Sequence, residues 1–225
     1  MLLQQVPEHA AHNARPGAAL HFEGRSQGWG EFAADCRALA HALAASAGPG
    51  SHVAVLSGNR PEFLACCFAV PAARQLLVPL NTRLGPRELA QQLEDAEPTL
   101  LFTEEAFLPL LQPLLHEAEA ARGQRIKLIV FGPAFNAWVA SAAAQPAPPL
   151  PPAHDDDPAW LLFTSGTTGR AKGALITHRN LIAAACNTLA AFDHHPDDVA
   201  LYLFPMFHIA AYALIVYLLR GYPVV

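Results

Sequence analysis

The sequence predicts an α/β fold built of largely parallel sheets flanked by helices. Two observations carry that expectation. Short apolar or β-branched runs alternate with stretches of helical periodicity, which is the pattern of repeated βαβ units. The composition is also ample for a buried core, with 52% apolar and only 15% charged residues in a chain of 225.

The elements follow in order. Residues 30–46 place Phe32, Cys36, Leu39 and Leu43 on one helical face. His52 to Ser57 reads as a strand, after which Asn59 is expected to cap, and Pro61 to open, the next helix. Gln75 to Leu80 is again strand-like. Pro86 starts a helix that carries Leu89 and Leu93 inward. Thr99 to Thr103 and Ile126 to Phe131 are further strands with a helix between them. Residues 144–158 break the rhythm: they are rich in Pro and Ala, then acidic at Asp155, Asp156 and Asp157. They read as an extended, solvated linker, and the acidic triplet as solvated charge rather than a metal site. The expected organisation is therefore a first α/β subdomain over 1–143, a linker over 144–158, and the start of a second subdomain over 159–225. In the last part, Trp160 to Phe163 and Ala174 to Ile176 are strands, and Thr177 caps a helix running to about Ala191. The apolar run from Leu201 to Leu219 is long enough to span a bilayer, but Pro205 and His208 interrupt it, so a buried helix beside a sheet is the reading taken.

Composition excludes several classes. A net charge of −5 leaves no basic footprint for nucleic acid. Four cysteines without CxxC spacing read as buried free thiols, which suits a reducing compartment. The N-terminal residues lack a basic n-region and a long apolar core, so no signal peptide is expected and the reading is cytoplasmic.

The most informative run is Phe163-Thr164-Ser165-Gly166-Thr167-Thr168-Gly169-Arg170-Ala171-Lys172-Gly173. Its glycines let backbone N–H groups turn towards a ligand and form a concave anion site. Thr164, Ser165, Thr167 and Thr168 add hydroxyl donors, and Lys172 adds a compact positive charge. Only two lysines occur in the chain, Lys127 and Lys172, against twelve arginines. A Gly/Ser/Thr cluster between apolar runs is often a plain loop; the density of donors together with the lysine favours a phosphate cradle. It is not a Walker A loop, because Ala171 stands where the second glycine belongs and Gly173 follows the lysine.

The order of residues resembles the signature loop of the adenylate-forming superfamily, which includes acyl-CoA synthetases, peptide-synthetase adenylation domains and firefly-type luciferases. The family pattern is an aromatic residue followed by Thr-Ser-Gly-Ser/Thr-Thr-Gly-x-Pro-Lys-Gly, and the chain departs from it only at Ala171, where proline is usual. Thr177-His178-Arg179-Asn180-Leu181 and Pro205-Met206-Phe207-His208 resemble the segments that follow, the second lying near the family's acyl pocket. Upstream, Val78 to Leu84, Glu88-Leu89, Phe102-Thr103-Glu104, Gly58 to Phe63 and Trp29 to Phe32 fit in the family's order, with Arg74 standing where a glycine is expected. The later Tyr-Gly-x-Thr-Glu and Thr-Gly-Asp segments, the hinge and the second-step lysine do not occur in the 225 residues. The expectation is an incomplete N-terminal part of the adenylate-forming fold.

What the resemblance implies is ATP-dependent activation of a carboxylic acid, fatty or aromatic, to acyl-AMP and then acyl-CoA, with Mg²⁺ and coenzyme A. Thr164, Ser165, Gly166, Thr167, Thr168, Gly169 and Lys172 would hold the ATP phosphates, and Phe207 and His208 would border the acyl chain. No metal ligand and no certain catalytic residue is assigned in this portion, and little turnover is expected from it alone. A non-catalytic ATP- or phosphate-binding fragment and an amino-acid adenylation domain are the alternatives.

Overall fold

Gly28 and Gly85 each stand one residue before a helix, and in each case the glutamate three residues on reaches back to the glycine N–H, at 3.2 Å for Glu31 and 3.0 Å for Glu88. Each glutamate thereby satisfies one backbone donor at the start of its helix, the half of a capping box that a glycine N-cap allows. The computed structural model describes residues 1–123, 125–144, 149–164, 171–195 and 197–225. In chain order the elements are α1 (Val6–Asn13), β1 (Ala19–Phe22), β2 (Arg25–Gly28), α2 (Trp29–Ser46), β3 (His52–Leu56), α3 (Pro61–Ala72), β4 (Leu76–Pro79), α4 (Pro86–Ala96), β5 (Leu100–Thr103), α5 (Leu108–Arg122), β6 (Lys127–Val130), α6 (Pro133–Ala143), β7 (Pro158–Thr164), β8 (Lys172–Thr177), α7 (His178–Ala191) and α8 (Tyr212–Arg220).

Among the described residues the main sheet has the strand order β6-β5-β3-β4-β7-β8. Every neighbour pair is parallel except β7 with β8, which form an antiparallel hairpin at the edge. The fold is thus the mixed α/β arrangement the sequence predicts. β7 comes after the segment expected to be a linker and lies beside β4 in the same sheet. β1 and β2 form a separate hairpin whose turn, Glu23-Gly24, has positive φ at both residues, the geometry that matches strand twist.

Alternation along the central strands sorts side chains to two cores. Val53 and Val55 of β3 point into the larger one with α1, α2, α3, α7 and α8. Ala54 and Leu56 point into the smaller one with Leu89 and Leu93 of α4 and Leu111 of α5. β4 and β5 are buried at every residue, as parallel strands covered on both faces must be. α3 is buried along its length from Phe63 to Ala72, so it carries no polar stripe.

Four expectations need correction. Asn59 does not cap α3: the N-cap position is Arg60, without a side-chain bond, and the Asn59 amide turns to residues 204 and 206 instead. The acidic triplet is not merely solvated charge. Asp157 pairs with Arg74 at 3.2 Å, and Asp155 and Asp156 both pair with Arg179, at 2.9 and 3.0 Å. Cys36, Cys66 and Cys67 are buried thiols, but Cys186 is exposed on α7. The run from Leu201 to Leu219 is not one helix. Only Tyr212–Arg220 is α-helical, while Leu201, Leu203 and Phe204 are exposed, and no described helix is long and apolar enough to cross a membrane. Arg74, which stands where the resemblance places a glycine, sits at φ 54°, two residues beyond the end of α3. The backbone there has the left-handed form that glycine adopts most easily.

Candidate functional site

Parallel strands deliver their following turns to one edge of the sheet, and that carboxyl edge is where open α/β sheets bind ligands. β3, β5, β6 and β7 end there at Leu56, Thr103, Val130 and Thr164. The expected phosphate loop leaves from this edge. Thr164 closes β7 and lies opposite Lys172, the first residue of β8, in the antiparallel register. The Thr164 hydroxyl donates to the Lys172 carbonyl at 3.2 Å. Both residues are exposed. The hairpin therefore fixes the two stems of the loop and sets a hydroxyl beside the backbone of the one nearby lysine. Ser165, Gly166, Thr167, Thr168 and Gly169 lie outside the described residues.

Gly173 has a packing reason of its own. A Cβ built on it would stand 2.7 Å from Cδ1 of Leu161 on the facing strand. The glycine lets β8 lie close over that side chain.

At the same edge the turn after β3 is tied to the end of β5. The Ser57 hydroxyl and the Gly58 N–H both donate to one Glu104 oxygen, at 2.6 and 2.7 Å. Arg60 makes a two-pronged contact with Glu62, at 2.9 and 3.0 Å, and its guanidinium lies 4.8 Å from the centre of the Phe131 ring. Burial alone would push the Glu62 carboxyl up, but the Arg60 hydrogen bonds and charge outweigh it and hold the group below the usual carboxylate range.

Asn59 extends from this braced turn to the segment that carries the expected acyl-site residues. Its amide nitrogen donates to the Phe204 carbonyl at 2.8 Å, and its amide oxygen accepts from the Met206 N–H at 2.9 Å. Phe207 is half-buried against the larger core. His208 is exposed and caps a short 3-10 turn, accepting from the Ala210 N–H through Nδ1 at 3.2 Å. That bond needs Nδ1 unprotonated, so the neutral ring carries its proton on Nε2. His208 is thus not a histidine inside a core helix.

His178 opens α7, where it is buried and accepts the Leu3 N–H at 3.1 Å through Nδ1. Burial pushes its pKa down, against the opposing pull of Asp157 and Asp155. Thr177 caps α7 as expected, with its hydroxyl accepting from the Asn180 N–H at 3.2 Å. The sequence reading missed Asn59 and Glu104 as parts of this edge. Both stand in segments that carry the family resemblance, but their partners lie far along the chain, so the segments alone give neither residue a role here.

Comparison with known proteins bears on the family and the fold. A model of the AMP-binding enzyme family matches residues 7–225. The chain is 34% identical over 216 residues to a fatty acid–[acyl-carrier-protein] ligase of Streptomyces coeruleorubidus, covering 92% of this chain and 40% of that protein. It is 33% identical over 211 residues to a feruloyl-CoA synthase of an Amycolatopsis species, covering 93% of this chain and again 40% of the relative. A fatty acyl-CoA synthetase of Mycobacterium tuberculosis superposes with a TM-score of 0.86 at 23% identity, over 99% of this chain and 44% of that one, which speaks for the fold. The chain thus spans about two fifths of the length of the curated relatives it matches.

Proposed function

The chain belongs to the AMP-binding enzyme family, and from that premise we propose that it carries the phosphate-holding and acyl-bordering part of an ATP-dependent acid–thiol ligase. The substrate class is a carboxylic acid, fatty or aromatic, in line with relatives named for fatty acids and for feruloyl-CoA. In the reaction, a carboxylate oxygen attacks the α-phosphorus of ATP and pyrophosphate leaves, giving acyl-AMP. A thiol, that of coenzyme A in this reading, then attacks the acyl carbon and AMP leaves.

The observation that carries the proposal is the hairpin that sets Thr164 opposite Lys172 at the carboxyl edge of the sheet. The first step gathers anions, so it needs charge neutralisation and positioning ahead of chemistry. Thr164 and Lys172, together with Ser165, Gly166, Thr167, Thr168 and Gly169, are assigned to the β- and γ-phosphates. Hydroxyls, backbone amides and an ammonium make an anion site; a bare metal ion would meet the positive charge of Lys172. Mg²⁺ is therefore assigned to the phosphates of ATP, where it offsets their charge. Phe207 and His208 are assigned to the border of the acyl chain. Cytoplasmic placement goes with the reading.

The adenine-side and second-step segments of the family do not occur in the 225 residues, so ATP binding without turnover is expected of them. Calorimetric titration of MgATP into the chain and into Lys172→Ala tests the assignment. Loss of a charge-assisted contact should weaken binding by about tenfold or more. Equal affinity of the two proteins would overturn it.

A further inference from the structure

Asn59 does something that neither helix capping nor the phosphate loop requires. Its amide spends one donor and its acceptor on the backbone of a segment 145 residues away, on both sides of Pro205. A primary amide can pair with a carbonyl and an N–H two residues apart much as a neighbouring strand does. Pro205 lies between them and has no N–H of its own to offer. We propose that Asn59 is a positioning residue: it clamps the backbone of Phe204–Met206 and so fixes where Phe207 and His208 stand. The inference rests on the assignment of those two residues to the acyl site.

The clamp is braced on one side. Glu104, just beyond the end of β5, receives both Ser57 and Gly58, the two residues before Asn59. Arg60, the residue after it, is locked to Glu62 and leans on Phe131. The amide thus projects from a turn with little freedom. On the other side the clamped segment leads straight into the acyl-site pair. The His208 N–H donates to the Pro205 carbonyl at 3.1 Å, and the His208 carbonyl accepts the Ala211 N–H at 2.9 Å. Met206 is buried, whereas Leu203 and Phe204 before it are 75% and 61% exposed. Packing therefore holds little of residues 203–204; the Tyr202 N–H is tied to the Val225 carbonyl at 2.9 Å, and from there to Met206 the two Asn59 bonds hold the backbone.

The test reads position and ligand separately, in the 225-residue chain. Hydrogen exchange followed by NMR should show Met206 amide protection falling about tenfold in Asn59→Ala, roughly the worth of one hydrogen bond, with a shift of the His208 ring resonances and α3 unchanged. Asn59→Asp keeps an acceptor for the Met206 N–H but loses the donor to Phe204. It should restore Met206 protection, and it serves as the readout if Asn59→Ala does not fold. Unchanged Met206 protection and His208 resonances in Asn59→Ala, or no rescue by Asn59→Asp, would overturn the clamp. Dodecanoate and ferulate are then titrated in the presence of MgATP. Asn59→Ala should weaken the acid about tenfold and leave ATP affinity alone; equal loss of both would make Asn59 a general structural residue and sink the proposal. If the wild-type chain takes up neither acid while the exchange result stands, the acyl-site reading of Phe207 and His208 fails and the clamp survives.

Discussion

The Arg74 guanidinium meets the Asp157 carboxylate at 3.2 Å from a backbone held at φ 54°. The strained backbone is a helix stop. The Gln75 N–H bonds the Val70 carbonyl at 3.1 Å and the Arg74 N–H bonds the Pro71 carbonyl at 3.0 Å, the paired closure that ends a helix through a left-handed residue. Arginine costs about 1–2 kcal/mol there relative to glycine, while a half-exposed ion pair contributes about 0–1 kcal/mol. The backbone effect is the larger. Arg74→Gly should therefore be neutral or stabilising, and Arg74→Ala, which keeps the strain and loses the pair, should be destabilised relative to it by about 1 kcal/mol. Urea unfolding of both variants and the parent decides the order.

That pair also shows where sequence reading stops. Helices α2 and α4 were legible because their apolar spacing and their Gly and Pro starts are local, as is the Thr177–Asn180 cap of α7. The two strands that flank the proposed phosphate loop were legible for the same reason: short apolar runs bracket a run of turn residues. Asn59 was not, because a capping amide and a clamping amide look alike until the partner at 204–206 is known. The ion pairs of the acidic triplet were not legible because its arginine partners, Arg74 and Arg179, come from other elements. Cys186 was misread because an alanine-rich helix does not announce which face turns outward.

His178 makes stability depend on pH. Burial holds its pKa below the ordinary histidine value, while Asp157 and Asp155 pull the other way. A histidine depressed in the folded state contributes stability that is complete above its unfolded pKa, about 6.5, and that is lost as pH falls through the folded one. Protonation at Nδ1 also removes the acceptor of the buried Leu3 N–H. The urea midpoint should drop as pH is lowered from 8 through this window, and His178→Ala should flatten the slope. The same substitution should cost about 1–3 kcal/mol at pH 8, from leaving the Leu3 donor unpaired. A pH profile of the variant parallel to that of the parent would refute the assignment.

Thiol chemistry should separate one cysteine from three. Burial pushes the Cys67 thiol up to about 12 and raises Cys66 and Cys36 well above the usual value. The thiolate is the reactive form, so these three should be inert in the folded chain. Cys186 is exposed. A chromogenic disulfide reagent at pH 8 should count one thiol natively and four in denaturant, and Cys186→Ser should abolish the native count.

The stem of the proposed phosphate loop depends on a glycine for space. A methyl group on Gly173 would stand 2.7 Å from Leu161 Cδ1, closer than carbon atoms approach without a shift. Leu161 is itself buried on β7, in register with Leu175 one turn of the pleat further along β8. Gly173→Ala must therefore turn the Leu161 side chain out of its rotamer or part the two strands, at about 1–3 kcal/mol. If the clash is with Leu161, the cost should shrink in a Leu161→Ala background, with a coupling of about 1 kcal/mol in the double-mutant cycle. Additive losses would show that the strain comes from the backbone of β8 instead. Because Gly173 follows Lys172, the single variant should also weaken MgATP binding, and the double variant should recover part of it; recovery of stability without recovery of binding would mean that the seat of Lys172 does not depend on this packing.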